Sequence, residues 1–265
     1  MLGSTVQDEP LATRVEGDVL RVTLNRPAKR NAINPALRDR LLDVFDGAEA
    51  SGHRAILLDG AGPGFCAGAD LQDSAPSGPG METTRVMRAS TQRLVTSMLD
   101  CPVPVVAAVH GAAAGIGLTL ALAADVCVAA EDARFIPAFV QRGLVPDGAV
   151  VNLLPRLIGI ARTKDFLMRG RPLSGGEAAA IGMIAVAVAP SALESTASSA
   201  AAELAALPTA TLALTKQMLG AAFEHDIAST LFAERMAQGL ATGTEDAAEG
   251  RASFFERRPP QFRGR

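Results

Sequence analysis

The chain has 265 residues, 48% of them hydrophobic and 20% charged, enough to bury a substantial core in one large domain or in a domain with a helical appendage. Its 28 acidic and 25 basic residues leave a net charge of -3, which provides no field to gather nucleic acid or an anionic membrane, and it has no Trp or Tyr to stack on bases. Three scattered cysteines without a CxxC pair argue against a disulfide framework, and three histidines without ligand spacing predict no bound metal.

In chain order, the N-terminus "MLGSTVQDEPLATRVEGD" lacks a basic start leading into an apolar core. It does not read as a secretory signal, and the cytoplasm is the expected compartment. Short β-branched runs bounded by turn residues predict strands over residues 13–16, 19–24, 54–59, 103–109 and 125–129. Between them, "NPALRDRLLDVFDGAEAS" places Leu37, Leu41, Val44, Phe45 and Ala48 on one helical face, with Asn34 as N-cap and Pro35 first in the helix. "TTRVMRASTQRLVTSMLD" repeats the pattern through Val86, Met87, Leu94 and Met98. Strands alternating with helices imply right-handed crossovers and a parallel sheet. Residues 72–81, rich in Ser, Pro and Gly, read as a surface loop placed to act as a lid.

The long apolar stretch "VPVVAAVHGAAAGIGLTLALAADVCVAA" is uninterrupted only over residues 111–124, short of the roughly 20 residues of a bilayer span. A buried strand, turn and helix fits it better. Past Val150 the pattern is helical, broken by a short strand in "IAVAVAP", and the chain closes with "FFERRPPQF". A core over residues 1–195 and a helical segment over 196–265 follow, the latter suited to packing on a neighbouring subunit.

Two Gly/Ala-rich turns, "GAGPGFCAGADL" and "HGAAAGIGLTLALAADV", each follow an apolar strand. Small residues there permit close packing of helix on strand. A dinucleotide fingerprint fails on spacing, since "GIGLTL" lacks the third glycine and the acidic residue about twenty positions on. A third reading is that each turn leaves a backbone N–H uncovered and aimed at one spot, and two such amides would form an oxyanion hole.

Together, "NRPAKRNAIN", "GAGPGFCAGADL", "HGAAAGIGLTLALAADV", "ARFIPAFVQRGLVPDGA" and "GRPLSGGEAAAIGMI" resemble the enoyl-CoA hydratase/isomerase family, the crotonase superfamily, in order from about Asn25 to the C-terminus. The resemblance implies an α/β spiral of ββα units with a helical C-terminal part, and homotrimers or dimers of trimers. It implies an acyl-CoA thioester substrate and no tightly bound cofactor. On the motif frames, the thioester oxygen would be held by the amides of Ala67 and Ile116. Arg26, Ala28 and Lys29 would lie near phosphate and adenine, with Ala69, Asp70 and Leu71 lining the adenine and pantetheine side. Ordinary strand-end charges would look similar, and Asp70 could serve simply to brace its turn.

Hydratases of the family share acid and base work between two glutamates, and at those positions this chain has Thr119 and Phe139. Neither exchanges a proton at neutral pH. Asp147 in "GLVPDG" remains. As plain sequence it reads first as a turn residue capping a helix that starts near Ala149. Within the family it resembles the single base of isomerases that move a double bond from the β,γ to the α,β position, in an apolar pocket expected to be lined by Phe139, Leu144 and Val145. The alternatives are hydration or another enolate reaction such as thioester hydrolysis, a Cys66 nucleophile working with His110, and an acyl-CoA-binding homologue without chemistry. "FFERRPPQF" resembles a closing segment that in relatives reaches a neighbouring site, through Phe254, Phe255 or Arg257, although a packing role is as good a reading.

Overall fold

The structure, a computed structural model, describes residues 9–72 and 80–265. Most of the expected lid lies outside the described residues. Strands are β1 (Leu11–Glu16), β2 (Val19–Leu24), β3 (Ala55–Gly60), β4 (Val105–Val109), β5 (Ala112–Ala114), β6 (Val126–Ala130), β7 (Arg134–Ile136), β8 (Leu173–Ser174) and β9 (Val186–Val188). Helices are α1 (Pro35–Asp46), α2 (Ala48–Ser51), α3 (Met81–Met87), α4 (Arg93–Asp100), α5 (Ile116–Ala123), α6 (Val150–Arg169), α7 (Gly175–Ala180), α8 (Leu193–Ala205), α9 (Thr209–Gly220), α10 (Ile227–Ala241) and α11 (Glu245–Glu256).

The larger sheet runs β1-β2-β3-β4-β6-β9, antiparallel at the β1–β2 hairpin and parallel from β2 onward. Every residue of β4 is buried, as a strand covered on both faces requires, which explains its unbroken apolar run. The smaller sheet runs β5-β7-β8, and an isolated parallel bridge from Cys66 to Ala113 extends it. The chain therefore winds as repeated ββα turns, one strand to each sheet. Each of β3, β4 and β6 belongs to the larger sheet, and the segment that follows crosses to the smaller one. The two small-residue turns are two of these crossings.

Helix α1 starts as its sequence predicts, with the Asn34 side chain accepting from Leu37 N–H and Pro35 in the first turn. Leu37, Leu41, Phe45 and Ala48 are buried. The expected helix over residues 83–100 is divided by a π-helical turn at Arg88–Gln92; Leu94 and Met98 face the core, while Val86 is exposed. Helix α5 is apolar and buried on every side, which makes it a core helix rather than a surface one. Among the described residues no helix is long and apolar enough to cross a membrane.

The expected boundary at 195/196 falls inside α8. That helix buries Ala197, Ala201 and Ala205 in the main core and belongs to it. The part that stands off begins with α9. Neither α9 nor α10 buries a residue, and Leu219, Phe223, Phe232, Met236 and Leu240 are exposed on the single chain. The final segment folds back on its own chain: Asp246 accepts from the N–H groups of Arg263 and Gly264, Glu249 grips Arg258, and Arg54 donates to Phe262 O. Phe254 and Phe255 stay exposed, in an edge-on pair with centroids 5.6 Å apart.

Candidate active site

The first turn is stitched to its neighbours by backbone. On one side Cys66 N–H donates to Ala112 O (2.9 Å) and Ala114 N–H to Cys66 O (2.9 Å). On the other, Ala67 N–H donates to Arg30 O (3.0 Å), Ile33 N–H to Gly68 O (2.8 Å) and Asp70 N–H to Ile33 O (2.9 Å). This corrects the sequence expectation for Ala67: its amide is spent inside the fold and cannot also hold a substrate oxygen. The open amide lies two residues on. The peptides are trans, so Ala69 N–H points opposite to Gly68 O, away from Ile33, and it has no acceptor among the described residues. Ala69 is also exposed.

Gly68 makes this turn of the peptide plane possible. Its φ is 100°, and a Cβ there would lie 2.9 Å from Ala114 O and 3.8 Å from Gly115 Cα. The two turns thus meet glycine against glycine. The peptide after Gly68 carries the Ala69 N–H, and the peptide after Gly115 carries the N–H of Ile116, first residue of α5. No carbonyl lies four residues back inside the helix for Ile116, and the helix dipole places partial positive charge at the same end. Two open amides at neighbouring glycine turns are the kind of donors that can stabilise an oxygen gaining negative charge.

Asp147 lies in the loop before α6, and that loop rests on the first turn of α5 through Gly148. The capping reading does not hold. Ala149 is the N-cap of α6 and no side chain caps the helix; only the backbone O of Asp147 is used, accepting from Val150 N–H at 3.3 Å. The carboxylate forms no ion pair among the described residues. Burial pushes its pKa up from the ordinary carboxylate value, opposed in part by a hydrogen bond from its own backbone N–H. Thr119 and Phe139 are both buried, and the Thr119 hydroxyl turns back to Gly115 O. Leu144 and Val145 are exposed on the single chain rather than lining an enclosed pocket, so that expectation is corrected.

Arg26 and Asp70 are brought together as a pair. The guanidinium donates to Asp70 at 2.8 Å and also to Ala32 O, and Asp70 takes the Gln72 N–H at 3.1 Å. Both are largely buried, so they clasp the loop of residues 26–33 to the first turn. Asn31, fully buried and in the left-handed region (φ 57°), adds a second clasp that the sequence reading missed: it accepts from Arg26 N–H and donates to Ala61 O and Gly64 O. Ala28, Lys29 and Leu71 lie on the surface, and Lys29 donates to Gln72, next to Leu71, at 2.7 Å. Cys66 is completely buried, its thiol pushed up to about 12 by burial, and His110 is occupied with Gly62 O. No Cys–His pair forms, and the nucleophile reading falls.

Comparison with known proteins shows what this chain resembles. The family model described as enoyl-CoA hydratase/isomerase matches residues 14–265. A Rhodobacter capsulatus protein named "Probable enoyl-CoA hydratase" is 40% identical over 244 residues, 92% of this chain and 94% of that protein. The 1,2-epoxyphenylacetyl-CoA isomerase of Escherichia coli is 38% identical over 260 residues, 97% and 99%. Among solved structures, the enoyl-CoA hydratase of Bacillus anthracis superposes with a TM-score of 0.89 at 30% identity, over 97% of this chain and all of that one.

Proposed function

This chain belongs to the enoyl-CoA hydratase/isomerase family and is an acyl-CoA enzyme of that family, and from that premise we propose that it is an enoyl-CoA isomerase working with one carboxylate. The thioester oxygen sits between the N–H groups of Ala69 and Ile116. Asp147 takes a proton from C2, the electron pair passes into an enolate whose charge rests on that oxygen, and the carboxyl group then delivers a proton to C4. The double bond moves from β,γ to α,β with no net gain or loss of atoms. The amides stabilise the enolate more than the neutral thioester, so they act on the barrier rather than on binding. Burial of Asp147 brings its basicity closer to what the C–H requires.

The observation that carries this reading is the half-buried Asp147, without an ion pair among the described residues and next to the Gly148 that rests on α5, with Thr119 and Phe139 buried where hydration would need carboxylates. In Asp147→Asn, α-proton exchange of a 3-enoyl-CoA in deuterated water should collapse while CoA-ester binding stays. Exchange at the wild-type rate would remove Asp147 from the mechanism. Rapid loss of the conjugated absorbance of crotonyl-CoA would favour hydration instead. A second substrate class, epoxides of aromatic acyl-CoA esters, has support from the 38% identity to a 1,2-epoxyphenylacetyl-CoA isomerase, and a panel including such an ester separates the two. The exposed apolar side chains of α9 and α10 support assembly into homotrimers or dimers of trimers, which light scattering tests directly.

A further inference from the structure

One contact joins the loop of the proposed base to the helix of the proposed donor. A Cβ built on Gly148 would lie 2.9 Å from Ile116 Cδ1 and 3.3 Å from both Cγ2 and Oγ1 of Thr119. Carbon atoms in good contact sit about 3.5–4.0 Å apart, so a methyl group at Gly148 would require the Ile116 side chain to shift. Ile116 is 5% exposed and Thr119 0%, so the side chains that would have to shift are themselves packed in the core. The loop is also held in an uncommon conformation, left-handed at Gly148 (φ 63°) and again at Ala149 (φ 64°). A non-glycine residue stays there only where its surroundings hold it. Pro146 fixes the backbone on the other side of Asp147.

We propose that the Ile116 side chain is the spacer that sets how far the Asp147 carboxylate stands from the thioester oxygen. Ile116 then has two separate jobs. Its N–H faces the oxygen, while its Cδ1, with Thr119, forms the stop against which Gly148 rests. A base that takes a proton at C2 and returns it at C4 must reach both carbons from one position, and the stop fixes that position. Gly148 and the Ile116 side chain are positioning residues; they touch the base loop, not the substrate. This inference rests on the reading of Asp147 as base and Ile116 as amide donor.

The test compares Gly148→Ala, the double variant Gly148→Ala/Ile116→Val, Ile116→Ala and Asp147→Asn, using 3-hexenoyl-CoA and measuring kcat, KM and α-proton exchange. Gly148→Ala should lower kcat by about 10²-fold with KM nearly constant, because displacement of a reacting group by about 1 Å costs on that order. Ile116→Val removes the closest contacting atom, Cδ1, and in the double variant should recover about tenfold of the loss. Ile116→Ala should lower kcat from the opposite side, by leaving a gap, again with KM nearly constant. Wild-type kcat in both Gly148→Ala and Ile116→Ala would overturn the proposal. So would a loss in Gly148→Ala that Ile116→Val does not recover, since strain at a left-handed alanine would then account for it. If Gly148→Ala does not fold, Ile116→Ala alone reads the spacing. Asp147→Asn keeps the two claims apart: full exchange in that variant refutes the base, whereas lost exchange there beside unchanged Gly148→Ala and Ile116→Ala refutes the spacer only.

Discussion

The two turns offer the same group, a peptide N–H just after a glycine, yet they are held by opposite means. The Ile116 amide opens a helix in which every residue from Ile116 to Ala123 is buried, so apolar packing places it. The Ala69 amide lies in irregular chain at an exposed position, and polar clasps place it: Arg26 on Asp70, the three hydrogen bonds of the Asn31 side chain, and the Arg30 and Ile33 backbone. The proposed receptor for one oxygen is thus half packed and half tied. Changes in packing and changes in polarity should therefore damage it differently.

The largest effect comes from removing the proposed base while leaving both halves standing. Asp147→Asn should cost about 10²- to 10⁴-fold in isomerisation, the usual contribution of a positioned base, with CoA-ester affinity held. If affinity fell in step with rate, the two turns would not be an independent receptor. Next, Asp70→Ala and Leu120→Ala separate the halves. Breaking the largely buried Arg26–Asp70 ion pair should cost about 3 kcal/mol, while truncating the fully buried Leu120 in α5 should cost a similar amount, about 3 kcal/mol. Denaturant melts measure both. Under conditions where both variants are folded, Asp70→Ala should also lose about tenfold in kcat through a loosened Ala69 amide, and Leu120→Ala should keep its kcat. Equal kcat in the two would erase the distinction.

The smallest effect is one of pH. Burial raises the folded-state pKa of Asp147 above its unfolded value, so its contribution to stability is fully present below the unfolded pKa and is lost as pH rises through the folded one. Asparagine carries no such dependence. The melting temperature of Asp147→Asn minus that of the wild type should therefore be larger at pH 8 than at pH 4. A gap that narrows on the way up would mean that the carboxylate is stabilised in the fold, not desolvated.

Much of this was legible in the sequence where one side chain or one run decides the structure. The Asn34–Pro35 start of α1 and the six strands of the larger sheet, all of which the sequence predicted, belong there. The smaller sheet was not legible: β5 is three alanines, β7 and β8 have three and two residues, and such pieces have no β-branched pattern to announce them. Nor was the donor. The sequence put it at Ala67, yet which N–H is free depends on the rotation of a peptide plane and not on residue type. The signal was present in the glycines: Gly68 stands before Ala69 as Gly115 stands before Ile116. Leu144 and Val145 suggested a pocket by their apolar character, but no pattern in one chain tells a pocket wall from a surface.

The most direct test is a crystal structure of the Asp147→Asn variant with 3-hexenoyl-CoA bound. The thioester oxygen should lie within about 2.7–3.1 Å of both Ala69 N and Ile116 N, the reach expected of oxyanion donors. An oxygen out of reach of Ala69 N, or one bound by Ala67 N with its bond to Arg30 broken, would contradict the account.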